Sequence, residues 1–152
     1  MKTSGGSLTL DFNRLAVAVR EASSDIVFAV VLGSAKGGIV EPGSDLDLAV
    51  FLTDPERAIS VYDAVSRAVN ALLPEVIADI GFLNRADPVY RFQAASGRLL
   101  FTRDQEVWLD FFSRAAREYE YQIADYARQL RYRLEARHAR ERRHSAQAGA
   151  DG

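Results

Sequence analysis

The sequence predicts an α/β fold, built as a small mixed β-sheet with helices on one face and carboxylates on the open face. Three apolar runs with strand character, 26–32, 46–52 and 76–83, alternate with segments whose apolar residues recur at helical spacing. The first run is rich in β-branched residues and nearly continuous, as expected for a strand buried on both faces. The chain has 152 residues, 48% of them hydrophobic, which suits one domain with a moderate core.

Two helices are predicted around the first two strands. The first covers 11–21, where Phe12, Leu15, Ala16 and Val19 fall on one face. The second follows Thr-Asp-Pro-Glu at 53–56, which offers an N-cap and a proline in the first turn, and it ends before Pro74. Its inward residues are expected to be Ile59, Tyr62, Val65, Val69 and Leu72 or Leu73.

The C-terminal part is predicted as a short helix, a short strand and a long helix. Asp87-Pro88 starts the short helix, which runs to about Ala95, and 98–102 forms the strand. Asp104 caps the last helix, whose apolar residues recur every three or four positions over about seven turns. These residues are Trp108, Phe112, Ala115, Tyr119, Ile123, Tyr126, Leu130 and Leu134. The second half of the helix extends beyond what so small a domain can cover, so we expect a partner to bury its apolar stripe.

Charge divides the chain into two parts. We expect a domain of residues 1–127 and a basic helical extension, 128–152, with a disordered tail from Ser145. From Arg128 onward there are 7 basic and 3 acidic residues. Such a run is more often a solvated helix end than a nucleic-acid contact, and arginine there is favourable for the helix dipole. No direct nucleic-acid partner is therefore expected.

The amino-acid composition excludes several classes of protein. The chain has no cysteine, which excludes a disulfide framework and a cysteine-based metal site. No apolar stretch is long enough to span a membrane, and the first residues lack the apolar core of a signal peptide. We expect no membrane partner and a cytoplasmic location.

The glycine-rich stretch between the first two strands carries the chemistry. Asp45 and Asp47 open the second strand two residues apart, so they share one face of the sheet. Neighbouring carboxylates repel each other, and a divalent cation such as Mg²⁺ is the usual remedy. Gly33-Ser34 follows the first strand, where small residues let backbone N–H groups approach a phosphate, and Lys36 adds a positive charge.

A further carboxylate lies in the third strand. Asp79 is the one charged residue in the apolar run 76–83, and an unpaired buried carboxylate is costly. It is either an edge-strand charge or salt-bridge partner, or a third carboxylate facing Asp45 and Asp47. Apolar residues flank Asp79 on both sides, and Leu83-Asn84 ends the run.

Taken together, these residues resemble the signature of the DNA polymerase β-type nucleotidyltransferase superfamily. The matching positions are Gly33, Ser34, Gly38, Ser44, Asp45 and Asp47. The family usually carries a basic residue directly before its second glycine, whereas here Gly37 holds that place and Lys36 stands one earlier. The family also places a third acidic residue on a neighbouring strand, often between apolar residues and followed by Leu-Asn, as Leu83-Asn84 follows here. The resemblance therefore favours Asp79 as a third carboxylate that faces Asp45 and Asp47. The short chain is similar to the minimal members, the MNT antitoxins paired with HEPN toxins.

The resemblance implies a nucleotidyl transfer that uses ATP and two Mg²⁺ ions. Asp45, Asp47 and Asp79 would be the catalytic and metal-binding residues, and Gly33, Ser34, Lys36, Gly38 and Ser44 would bind the nucleotide. Three functions remain open. The chain transfers AMP to a tyrosine of a HEPN RNase toxin, or it neutralises a toxin by contact alone, or it modifies a small molecule such as an aminoglycoside.

Overall fold

The computed structural model describes residues 6–41 and 43–150. Within these residues it contains six strands and four α-helices, with short 3₁₀ turns at Gly33–Gly37 and Pro55–Arg57. The strands are β1 (Leu8–Thr9), β2 (Ile26–Val31), β3 (Ile39–Val40), β4 (Asp45–Leu52), β5 (Ile77–Phe82) and β6 (Arg98–Thr102). The helices are α1 (Phe12–Ala22), α2 (Ala58–Leu72), α3 (Pro88–Ala95) and α4 (Gln105–Ala150).

The main sheet is mixed, as the sequence predicted. Its four strands lie in the order β5-β4-β2-β6. Strands β4 and β5 run parallel, while β2 pairs antiparallel with both β4 and β6. Strands β1 and β3 form a separate antiparallel ribbon, which the sequence analysis did not anticipate because each strand has only 2 residues.

The alternation of side chains along β4 separates two apolar layers. Leu46, Leu48, Val50 and Leu52 are buried against α1 and α2. The other face holds a second cluster around Phe28, to which α3 and the first turns of α4 contribute. The helix residues of this second cluster are Ala94, Ala95, Phe111 and Ala115. The expected helix-covered face is thus formed by α1 and α2, and the opposite face is open only in the part that α3 and α4 leave free.

Three predicted inward positions need correction. Ile59 is 87% exposed and Tyr62 is exposed as well, whereas Val61, Val65 and Val69 form the buried face of α2. In α4, Phe111 is buried and Phe112 is 47% exposed. In both helices, some residues of the predicted apolar stripe are buried and others are exposed. Apolar residues three or four positions apart occur on both flanks of the buried face, so spacing alone could not decide which flank faces the sheet.

Side chains fix the ends of several elements. Asp87 accepts a hydrogen bond from the backbone N of Tyr90, and Asp104 accepts from those of Glu106 and Val107, which confirms both predicted N-caps. The side-chain amide of Asn84 bonds both backbone groups of Leu52, at 2.9 and 2.8 Å. These two hydrogen bonds hold the chain after β5 against the end of β4.

The structure divides into two compact units, one up to Ala116 and one from Arg117 onward. The second unit is helical to Ala150, so the disordered tail expected from Ser145 is helix as far as the structure describes it, and Asp151 and Gly152 lie outside the described residues. The predicted boundary after Ala127 stays a prediction. No helix among the described residues is both long and apolar enough to cross a membrane.

Candidate active site

Strand register places two of the predicted carboxylates side by side. In the parallel pairing of β4 with β5, Asp47 stands opposite Asp79, while Asp45 stands opposite Ile77. Neighbouring strands lie about 4.8 Å apart, so Asp47 and Asp79 are close neighbours on one face of the sheet. Asp45 lies two residues before Asp47 and shares this face.

The electrostatics of Asp47 reflect this crowding. Partial burial raises the pKa of the Asp47 carboxyl above its ordinary value of 3.8, and the negative charges of Asp79 and then Asp45 raise it further. The folded protein therefore holds three acidic groups on one face at a cost that a bound cation would relieve.

The glycine turn lies against the same carboxylate. The backbone N of Leu32 donates a 2.9 Å hydrogen bond to the carbonyl of Asp47, and Gly33 then turns the chain with φ +67°. A Cβ at Gly33 would lie only 2.9 Å from Oδ2 of Asp47. Glycine is therefore required here both for the left-handed backbone and for the close approach.

The turn ends at a second glycine with a separate role. Gly38 has φ +95°, and its carbonyl accepts a 2.7 Å hydrogen bond from the backbone N of Leu10. A Cβ at Gly38 would lie 3.3 Å from the ring of Phe12. This glycine joins the far end of the turn to the chain before α1.

A cleft of about 530 Å³ opens beside the carboxylates, a size typical of small-molecule sites. Among the residues predicted from sequence, Gly33, Lys36, Asp47 and Asp79 line it. Its other lining residues are Leu32, Tyr90, Phe92, Gln93, Ser96 and Gly97.

The remaining predicted residues do not line the cleft. Ser34 and Asp45 are exposed, and Gly38 is buried. Ser44 is half-buried in the turn before β4, where its backbone N donates to the carbonyl of Glu41 at 3.0 Å. The site roles given to these residues stay predictions.

Sequence reasoning missed the wall that α3 contributes. Tyr90 packs over Gly81 so closely that a Cβ at Gly81 would lie 1.9 Å from the tyrosine hydroxyl oxygen. Burial raises the pKa of the Tyr90 phenol, and the charges of Asp79 and Asp47 raise it further. The one signal in the sequence was Gly81 itself, since a glycine inside a strand often marks a close approach.

The donor chemistry of this face fits Mg²⁺. Asp47 and Asp79 present hard oxygen ligands from adjacent strands. Partial burial first, and then the charges of Asp79 and Asp45, raise the pKa of Asp47, and a divalent cation would favour its charged form. Within the described ranges, no group of three histidine, cysteine or acidic side chains is arranged as a ready metal site. The fit therefore rests on the paired carboxylates, with Asp45 as the nearest further oxygen donor along β4.

Comparison with known proteins gives one family and a group of similar folds. Residues 16–106 match the family model described as polymerase beta, nucleotidyltransferase. A comparison with curated proteins found no match.

Several similar solved structures are toxin–antitoxin complexes. A mutant of the toxin-antitoxin MntA-HpeT is 19% identical with a TM-score of 0.67, covering 80% of this chain and 96% of that chain. A toxin-antitoxin with AMP-PNP is 20% identical with a TM-score of 0.65 and the same coverage, 80% and 96%. A complex of tri-AMPylated Shewanella oneidensis HEPN toxin with MNT antitoxin is 20% identical with a TM-score of 0.59, covering 78% of this chain and 92% of that chain. At these identities the likeness shows a shared fold.

Proposed function

This chain belongs to the polymerase β nucleotidyltransferase family, whose model matches more than half of it, and on that premise we propose that it transfers AMP from ATP to a tyrosine of a HEPN toxin. The family predicted from the sequence is thereby confirmed. The acceptor, the nucleotide and the metal belong to the proposal.

The proposal is supported mainly by one observation. Asp47 and Asp79 are register neighbours on parallel strands, and both line the cleft that Gly33 and Lys36 line as well. Paired carboxylates beside a glycine turn and a lysine suit a substrate with a phosphate chain, because the turn and the lysine attract anions while the carboxylates hold cations. A nucleoside triphosphate with Mg²⁺ meets both demands.

Each residue then has a defined task. Backbone N–H groups of the turn at Gly33 and Ser34 hold the phosphates, and Lys36 adds a positive charge at the same wall. Asp47 and Asp79, with Asp45, would hold Mg²⁺, which neutralises phosphate charge and makes an attacking oxygen more nucleophilic. Asp79 takes the proton of the acceptor hydroxyl, whose ordinary pKa near 10 requires such help at neutral pH.

The choice of acceptor is supported by the similar complexes. One contains a tri-AMPylated HEPN toxin with its MNT antitoxin, and another contains AMP-PNP. By analogy, a HEPN toxin would bring the acceptor to the cleft of this chain. An AMP group adds bulk and negative charge, which would repel RNA from the RNase site of the toxin. Because ATP is the nucleotide, we place the reaction in the cytoplasm.

The experiment is a transfer assay with the HEPN toxin, which we expect the neighbouring reading frame to encode. The two purified proteins are incubated with ATP and Mg²⁺, and the toxin is measured by intact mass and peptide mapping. We expect one or more AMP masses on a tyrosine and loss of toxin RNase activity. If the toxin is neutralised without a mass change, and the Asp45→Asn/Asp47→Asn variant neutralises it equally well, the chain is an antitoxin that acts by binding.

A further inference from the structure

The cleft holds a tyrosine hydroxyl of its own. Tyr90 is the third residue of α3, and its backbone N is fixed by a 2.9 Å hydrogen bond to Oδ1 of Asp87. Its side chain reaches back to the sheet, where the hydroxyl oxygen lies over Gly81. Tyr90 lines the cleft, and its hydroxyl lies against the strand that carries Asp79.

The register locates this hydroxyl relative to the carboxylates. Gly81 follows Asp79 by two residues on the same face of β5, and it stands opposite Ala49 just as Asp79 stands opposite Asp47. Two residues along a strand span about 6–7 Å. Tyr90 is thus held over the residue that follows Asp79 on the same face of β5, in the cleft that Asp47 and Asp79 line.

Such an acceptor needs no binding step. A hydroxyl that is already fixed near the reacting groups avoids the entropy cost of bringing a second molecule to the site. In the proposed reaction the acceptor is a phenol, which is the group that Tyr90 presents. The absence of a side chain at Gly81 provides the room that the ring occupies.

We propose that Tyr90 is a modification site, and that the chain transfers AMP to its own Tyr90 when no partner occupies the cleft. This inference rests on the proposed function, since it uses the same nucleotide and the same carboxylates. The Tyr90 oxygen forms a bond to the α-phosphorus of ATP, the bond from the α-phosphorus to the bridging oxygen breaks, and pyrophosphate leaves. The phenolic proton passes to Asp79.

The modification would limit its own reaction. An AMP group on Tyr90 places a bulky anion beside Asp47 and Asp79, inside a cleft of about 530 Å³. It would exclude a second ATP by sterics and by repulsion between phosphates. Each chain is therefore modified once, and the modified chain no longer turns over nucleotide.

The test uses the purified full chain alone with α-³²P-labelled ATP and Mg²⁺. We expect the mass of one AMP group per chain, mapped to the peptide that contains Tyr90. The first-order rate should not change over a tenfold range of protein concentration, because donor site and acceptor are in one molecule. Tyr90→Phe should lower labelling at least tenfold, while Tyr62→Phe and Tyr121→Phe, which remove exposed tyrosines, should label like the natural chain.

A second variant tests the position of the hydroxyl while keeping Tyr90. Gly81→Ala introduces a Cβ that must push the hydroxyl oxygen away, so labelling should fall severalfold with Tyr90 intact. Label on another residue, full labelling of Tyr90→Phe, or a rate proportional to protein concentration would each overturn the proposal.

A parallel incubation with the toxin separates this inference from the proposed function. If the toxin gains AMP and Tyr90 in the isolated chain does not, self-modification is wrong while the proposed function stands. If neither protein gains AMP, both are wrong.

Discussion

Asp47 of β4 and Asp79 of β5 stand directly opposite each other on two parallel strands. Both side chains line one cleft, and burial together with the charges of Asp79 and Asp45 raises the pKa of Asp47. A fold does not benefit from placing like charges side by side, since their repulsion is unfavourable without a counterion. The proposed function, which requires cations at that position, would account for this arrangement.

The first prediction follows from this pair. Replacing Asp45 and Asp47 together with asparagine should lower Mg²⁺-dependent nucleotide turnover by at least about 100-fold, because the charges that hold the cation are lost. The melting temperature should not fall, and a rise of up to about 2 °C is expected from the removal of repulsion. Turnover is measured as pyrophosphate release, and stability by thermal unfolding.

A metal-binding readout and a control complete this test. Added Mg²⁺ should raise the melting temperature of the natural chain more than that of the double variant, since a ligand stabilises only the state that binds it. Asp110→Asn removes one exposed acidic partner of Arg114 and should leave turnover unchanged. Undiminished turnover in the Asp45→Asn/Asp47→Asn variant would remove these residues from the site.

The second prediction concerns pH. Because the folded state raises the pKa of Asp47, it binds that proton more tightly than the unfolded state does. The resulting stability is present below the ordinary value of 3.8 and is lost as pH rises through the folded-state pKa. The melting temperature of the natural chain minus that of Asp47→Asn should therefore decrease as pH rises from about 4, without divalent cations.

The pH series needs one comparison variant. The same titration of Asp110→Asn corrects for the general effect of losing an acidic side chain. A difference between the natural chain and Asp47→Asn that increases with pH would show that neighbouring groups stabilise the Asp47 carboxylate, contrary to the structure.

The third prediction tests the contact between the glycine turn and the carboxylate. Gly33→Ala introduces a Cβ at φ +67° and 2.9 Å from Oδ2 of Asp47. We expect it to lower the free energy of unfolding by about 1–3 kcal/mol, which corresponds to about 2–4 °C in melting temperature per kcal/mol. Turnover should fall as well, because both the turn and Asp47 are displaced.

Gly37→Ala is the matched control within the same turn. A Cβ at Gly37 would meet nothing within 4 Å, so the change in stability should stay within about 0.5 kcal/mol. Equal effects of the two substitutions would mean that the turn is sensitive to any side chain, and that the contact with Asp47 has no special role.

Local patterns predicted most of the elements and part of the site. The alternation in β4 placed Asp45 and Asp47 on one face, and the bounds of β6 and the caps of α3 and α4 follow from residues adjacent in sequence. The carboxylate of Asp79 was found because it interrupts an apolar run. These features depend on neighbours a few positions apart, which one sequence displays directly.

Long-range geometry explains what was missed. The position of Tyr90 in the cleft depends on how α3 returns over Gly81, and no spacing within α3 reveals that. The buried flank of α2 depends on where the helix begins after the 3₁₀ turn, so Ile59 and Val61 could not be separated by periodicity. The family resemblance favoured a position of Asp79 facing Asp45 and Asp47, but that it stands opposite Asp47 follows only from the register of β4 with β5.

The last prediction concerns the apolar stripe of α4. Ile123, Tyr126, Leu130 and Leu134 recur at steps of three and four on one side of the helix, and all four are exposed. Such a stripe is typical of a surface that another protein covers. Truncation after Ala127, or the substitutions Leu130→Ser and Leu134→Ser together, should weaken toxin binding at least tenfold while ATP binding is unchanged.

Tyr132→Ser provides the control, because Tyr132 is 67% exposed on the opposite side of the same helix. It removes a larger side chain than either leucine. If the toxin bound α4 through nonspecific apolar contact, Tyr132→Ser would therefore weaken toxin binding at least as strongly. Affinity for the toxin is measured by isothermal titration, and ATP binding is measured separately on each variant. If Leu130→Ser/Leu134→Ser binds the toxin as tightly as the natural chain, the stripe is not the toxin interface. If Tyr132→Ser weakens binding to the same extent, the helix acts without a preferred face.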